Sequence, residues 1–166
     1  MSMCPNQLRE LVVIPTLKKL DPAIPYSEEA VDLLMMTCAH ESKMGKYIRQ
    51  LGFCYGDLGG AFGIYQMETA TEKDIYNNFL IYKPEIQALI KEFHGHLMTD
   101  NEYATAMARL HFYRVPEALP KKSNYTGIEV YLLSLARYCK KYYNTELGKA
   151  DVMDYYNDYK TFVLNE

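Results

Sequence analysis

Between Ser27 and Ser42 the chain can form one long helix, and the residue near its end restricts what the rest can be. Val31, Leu34, Met35 and Cys38 recur at spacings of three, one and three. Those intervals put them on one face of an α-helix. Ser27 suits the N-cap, and Glu28 and Glu29 fall in the first turn, where the helix dipole favours acids. Glu41 continues the apolar stripe three residues past Cys38. An ionised carboxylate on an inward face is costly if unpaired, so such a group tends to keep its proton at a raised pKa. A carboxylic acid still protonated near neutral pH is what general acid catalysis requires. The plain alternative is a solvated charge that has simply reached the end of its helix.

The segment that follows, residues 43–65, carries Gly45, Gly52, Gly56, Gly59, Gly60 and Gly63. It cannot be one regular helix, although Lys46 to Leu51 could make a turn or two. Long loops of this kind in compact domains are usually functional, and a short β-hairpin is expected within this one. Gly59-Gly60-Ala61-Phe62-Gly63 is not a dinucleotide fingerprint, because it lacks a preceding strand and a βαβ setting.

Elsewhere the periodicity is helical. Leu8, Leu11, Val12, Leu17 and Leu20 have helical spacing over residues 6–20, and Pro15 within it predicts a kink or two short helices. Residues 21–26 form a connector. Further helices are expected from Thr71 to about Phe79, and from Pro84 to near His94. Another begins at Asp100 or Asn101 and carries Ala104, Met107, Ala108, Leu110 and Phe112. Thr126 and Glu129 have capping-box spacing for a helix reaching Tyr142. A turn spans Asn144 to Gly148, and a last helix runs from about Ala150 to Val163. No alternating strand pattern persists. The expectation is an all-α fold with one catalytic domain over residues 1–166, long enough to bury a proper core.

A net charge of −3 gives no support for a nucleic-acid partner. No apolar run is long enough to insert in a membrane. Cys4, Cys38, Cys54 and Cys139 show no CxxC spacing and are expected to be reduced thiols. With no signal segment at the N-terminus, cytoplasmic synthesis is expected. Tyrosine is abundant, at 16 residues, and tryptophan is absent. Tyrosines suit a glycan groove, but they suit a half-buried helical surface equally well. His40-Glu41 starts like a zinc-protease helix, but the second histidine is missing. His94, His96 and His111 lack a carboxylate or cysteine at ligand spacing, so no metal or other cofactor is expected.

Three motifs together carry a family resemblance. Glu41-Ser42 at the end of an apolar helix resembles the catalytic Glu-Ser of the lysozyme-like soluble lytic transglycosylases. Gly60-Ala61-Phe62-Gly63-Ile64-Tyr65-Gln66-Met67 is similar to that family's Gly-Ala-x-Gly-Leu-Met-Gln, and Ala70-Thr71 continues the match. Tyr143-Asn144 after a helix resembles its Ala-Tyr-Asn-x-Gly element. The likeness covers residues 30–71 and 136–148, about a third of the chain. Thr69 replaces a proline, Tyr142 replaces the alanine, and Thr145-Glu146-Leu147 delays the glycine to Gly148. The spacer from Glu41 to Gln66 is longer than usual. The family's middle motif has no clear counterpart, and Tyr113 is its candidate. The short form resembles phage-encoded or virion-associated members.

The resemblance implies a lysozyme-like fold and peptidoglycan glycan strands as substrate, with action at the cell wall or periplasm. For a virion-borne member it also implies other virion proteins as partners. Glu41 would protonate the leaving oxygen of a β-1,4 link between amino sugars, then take a proton from the C6 hydroxyl to close a 1,6-anhydro ring. Ser42 would place a hydroxyl beside the reacting sugar. Gln66 would bind an acetamido or hydroxyl group. Ile64, Tyr65 and Met67 would form groove wall. Tyr143, with Asn144 beside it, would hold Glu41 or the acetamido group. One alternative is a hydrolytic lysozyme, needing a second carboxylate about 6.5–9.5 Å away for inversion. Asp57 is the sequence candidate for that group. The other alternative is a non-catalytic structural or glycan-binding module, which would have no use for an acid in so costly a position.

Overall fold

The structure is a computed structural model, and it describes residues 2–144 and 148–165. Eight α-helices follow in order: α1 (Pro5–Leu8), α2 (Ile14–Leu20), α3 (Glu28–Ser42), α4 (Thr69–Asn78), α5 (Pro84–Ile90), α6 (Asn101–Tyr113), α7 (Ile128–Tyr142) and α8 (Val152–Tyr159). A hairpin of β1 (Ala61–Phe62) and β2 (Met67–Glu68) makes up the β-structure among the described residues. The expected all-α class and the short hairpin are both present.

Helix α3 is the centre of the fold. Val31, Leu33, Leu34, Met35, Met36, Cys38 and Ala39 are all fully buried, so it is apolar all round, not on one face. A helix of that kind must be enclosed by others, and α6, α7 and α8 pack against it. Ser27 caps its start, accepting from Ala30 N at 3.1 Å. Its far end is set by Ser42, whose Oγ donates to Cys38 O (3.1 Å) and accepts from Gly45 N (2.8 Å). Lys43, Met44 and Gly45 then take left-handed conformations in succession and turn the chain away.

The stretch expected to kink or split at Pro15 forms two short α-helices, α1 and α2. Residues Arg9–Val13 are a π-helical segment joining α1 to α2. Pro15 has no N–H to give Leu11, and the wider π turn ahead of it accommodates that missing bond. Leu11 lies exposed on this segment. Arg9 pairs with Glu28 (2.6 Å) and Asp32 (3.1 Å), and Asp32 also accepts from Tyr131 Oη at 3.2 Å. These bonds tie the N-terminal helices, α3 and α7 together.

Three local expectations need correction. Residues 46–51 form a turn and an isolated bridge at Arg49, not a helix. Helix α7 starts at Ile128 with Gly127 as its uncapped N-cap, so Thr126 lies one residue too early to box with Glu129. A capping box occurs instead at α8, where Asp151 and Asp154 exchange backbone bonds of 2.8 and 2.9 Å. Asp100 does cap α6, accepting from Tyr103 N at 2.9 Å. The expected turn between Asn144 and Gly148 lies mostly outside the described residues.

The hairpin explains its own glycine. Ala61 pairs with Glu68 and Phe62 with Met67. The turn between them has Gly63 at φ +74° and Gln66 at φ +46°. A Cβ at Gly63 would stand 2.0 Å from Leu97 O, so the turn is pressed on the chain leading into α6.

Candidate functional site

The end of α3, the hairpin, α6 and the end of α7 enclose a cleft of about 450 Å³. Glu41, Gln66, Met67, Tyr143 and Asn144 line it, so side chains from all three sequence motifs converge there. Ala61, Glu68, Thr71 and His111 complete the lining.

Glu41 stands in the last turn of α3, mostly buried. Its pKa is raised, chiefly by burial; a hydrogen bond from Tyr155 and the charges of His40 and Lys43 oppose that shift. The negative end of the α3 dipole also disfavours the ionised form. Tyr155 Oη, from α8, donates to Glu41 Oε1 at 2.8 Å. The Tyr155 ring lies 3.9 Å from the His40 ring. His40 Nδ1 meets Asp158 Oδ2 at 2.8 Å, and Lys43 Nζ reaches the same oxygen at 2.5 Å.

Tyr143 lines the cleft but does not hold Glu41. Its hydroxyl donates to Tyr65 O at 2.7 Å, and its ring stacks on Phe112 at 5.3 Å. Burial pushes the Tyr143 phenol well up, with the Glu41 charge a lesser cause. Gln66 Nε2 donates to Gly63 O (2.8 Å) and Tyr47 O (3.1 Å). Both amide hydrogens are thus engaged, and Oε1 is the group Gln66 can offer a ligand.

Five expected site residues do not line the cleft. Ser42 is fully buried, with its hydroxyl committed to ending α3, so it cannot sit beside a sugar. Ile64 and Tyr65 are core residues at 1% exposure, and Tyr65 Oη pairs with Thr105 Oγ1 at 3.2 Å. They face inward because the turn between the strands is buried against α6. Tyr113 lies on the outer end of α6, with Phe79 edge-on at 6.2 Å and Arg109 over its ring. Asp57 is an exposed turn residue whose carboxylate accepts from Cys54 N at 2.7 Å. The carboxylate that shares the cleft with Glu41 is Glu68, exposed on β2.

His111 lines the cleft, and no group of three or more metal-binding side chains occurs among the described residues. Burial lowers its pKa, so it is neutral, and its Nε2 donates to Tyr142 O at 2.8 Å. Its edge meets the Tyr143 ring at 5.1 Å. The stripe Ala104, Met107, Ala108 already pointed His111 inward. Glu68 was legible as the outward neighbour of inward Met67 on a strand. Tyr155 carried no local signal.

The chain matches no protein-family model, no curated protein and no solved structure.

Proposed function

We propose that the chain is a peptidoglycan-cleaving muramidase of lysozyme-like architecture, acting as a lytic transglycosylase with Glu41 as its acid and base. The observation that carries this reading is Glu41 itself: a mostly buried carboxyl with a raised pKa, opening on a cleft that also takes in Gln66, Tyr143 and Asn144. A glycan strand would run through that cleft. Glu41 gives its proton to the bridging oxygen as the bond to the muramic-acid anomeric carbon breaks. The substrate's own acetamido oxygen supports the positive charge developing there. The Glu41 carboxylate then takes the C6 hydroxyl proton as that oxygen closes on the anomeric carbon. The acid is regenerated and no water is consumed. Gln66 Oε1 is suited to an acetamido N–H or a sugar hydroxyl.

A hydrolytic outcome is favoured by one specific feature, the Glu68 carboxylate in the same cleft. A second carboxylate can activate water in place of the C6 hydroxyl. The test is clearing of purified cell walls, followed by mass spectrometry of the fragments. Glu41→Gln is expected to abolish clearing, since an amide cannot supply the proton; clearing at the wild-type rate overturns the proposal. Products with a 1,6-anhydro end, unaffected by Glu68→Gln, support transglycosylation. Reducing-end products lost in Glu68→Gln assign hydrolysis. Wall binding without clearing, in the wild-type protein, would leave a glycan-binding module.

A further inference from the structure

A hydrogen bond reaches Glu41 from behind. Tyr155 has one proton to give, and it goes to Glu41 Oε1. With Oε1 engaged as an acceptor, the Glu41 proton is favoured on Oε2.

The residues around this bond fit that purpose. His40 lies against the Tyr155 ring and is itself anchored by Asp158, which restricts the phenol's position. Gly148 leaves room for Asn144: a Cβ there would lie 1.4 Å from Asn144 Oδ1.

We propose that Tyr155 is the positioning residue of the acid, favouring Oε2 as the proton-bearing oxygen of Glu41. The inference rests on Glu41 being the acid. Its catalytic consequence follows from charge. Once Glu41 has given up its proton, the Tyr155 bond becomes a bond to a carboxylate and strengthens. It therefore stabilises the transition state more than the resting acid. The glycine of the third motif gains a reason as well, since it is needed for the conformation of Asn144.

Other charges also face this carboxyl. His40 and Lys43 lie on its own helix end, and Asp158 stands behind them on α8. Tyr143 and Cys139 feel its charge from the α7 side. His111 and Glu68 face the cleft from α6 and β2. All of them are unchanged in a Tyr155→Phe protein, so the difference from wild type isolates the phenol hydroxyl.

The experiment follows the Glu41 side-chain carbon by NMR in full-length protein labelled with ¹³C-glutamate, assigned through Glu41→Gln, across pH. In Tyr155→Phe the Glu41 midpoint should rise, because a bond favouring the charged form is gone. Wall clearing at acidic pH should fall about tenfold or more. The alkaline limb of the activity profile should move upward together with the midpoint. An unchanged or lowered Glu41 midpoint in Tyr155→Phe overturns the proposal. So does equal loss of clearing at every pH with the midpoint unmoved, which is what a merely structural tyrosine would give. Should Tyr155→Phe fail to fold, 3-fluorotyrosine at position 155 decides: its more acidic phenol should lower the Glu41 midpoint, and an unmoved or raised midpoint overturns the proposal. If wild-type protein clears no walls, the muramidase reading fails, while the midpoint shift still tests the bond.

Discussion

Replacing Glu41 with glutamine should make the protein more stable at neutral and alkaline pH, whatever its activity. Burial raises the folded-state pKa of Glu41 above its ordinary value. Between the unfolded and the folded midpoints, the unfolded chain has lost this proton and the native state still holds it. The native state then binds more protons, so stability falls as pH rises through that window. The contribution is fully present below the unfolded midpoint and is lost by the time pH passes the folded one. The slope within the window is about 1.4 kcal/mol per pH unit. For a domain of this size each kcal/mol moves Tm by about 2–4 °C. The wild type should therefore lose about 3–5 °C for each pH unit separating the two midpoints. Glutamine has no proton to lose and can still accept from Tyr155, so its curve should lack this slope. Thermal unfolding of both proteins from pH 4 to 8 should give curves that lie closest at the acid end and diverge above it, with the variant higher. A constant difference across pH, or a variant that melts lower at pH 8, would refute the idea that Glu41 is held protonated by burial.

The remaining predictions concern residues whose partners are now defined. Tyr143→Phe removes the bond to the buried Tyr65 carbonyl and should cost about 1–3 kcal/mol of stability, read as a lower denaturation midpoint. Its clearing activity should stay within about threefold of wild type when corrected for folded fraction, since no bond to Glu41 is lost. Gly63→Ala forces a left-handed alanine whose Cβ would meet Leu97 O, so stability, read from Tm, should fall by more than the roughly 1 kcal/mol of the backbone effect alone. No disulfide forms among the described residues, so adding reductant should leave Tm unchanged; a large fall would require a disulfide.

Much of the fold was legible because strong local signals agreed with tertiary packing. Ser27 and Asp100 cap the helices expected of them, and Pro84 opens α5. The failures came where two local codes competed. Thr126 and Glu129 have the right spacing, yet extended Gly127 puts the helix start one residue later. At Pro15 the two short helices were anticipated, but not the π segment that joins them and keeps Val13 in the core with Leu17 and Leu20. The breadth of burial on α3 was also hidden. Leu33, Met36 and Ala39 lie off the stripe, and only the packing of α8 and α7 on the remaining faces encloses them.

The site divides along a similar line. Glu41, Gln66, Met67 and Asn144 were readable because each faces the cleft from an element that its own motif forms. Ser42, Ile64 and Tyr65 were misread because adjacency in a motif is not adjacency in space. Ser42 is one residue, and so about 100° of helix, from Glu41, and that rotation takes its hydroxyl from the cleft to the buried backbone of α3. The two tyrosines show the limit most clearly. Tyr143 was expected at Glu41 because it sits in a motif, but its ring is fixed by Phe112 and His111 and its hydroxyl is taken by Tyr65 O. The hydroxyl that does reach Glu41 comes from 114 residues away, on a helix with no motif. Only the docking of α8 on α3 brings it there, and the pair between Asp158, one turn along α8 from Tyr155, and His40, next to the acid, fixes that docking. A carboxyl at the end of a buried helix is a local fact, open to sequence periodicity. The partner that orients it is a tertiary one, and the same helix that closes the core over α3 supplies it.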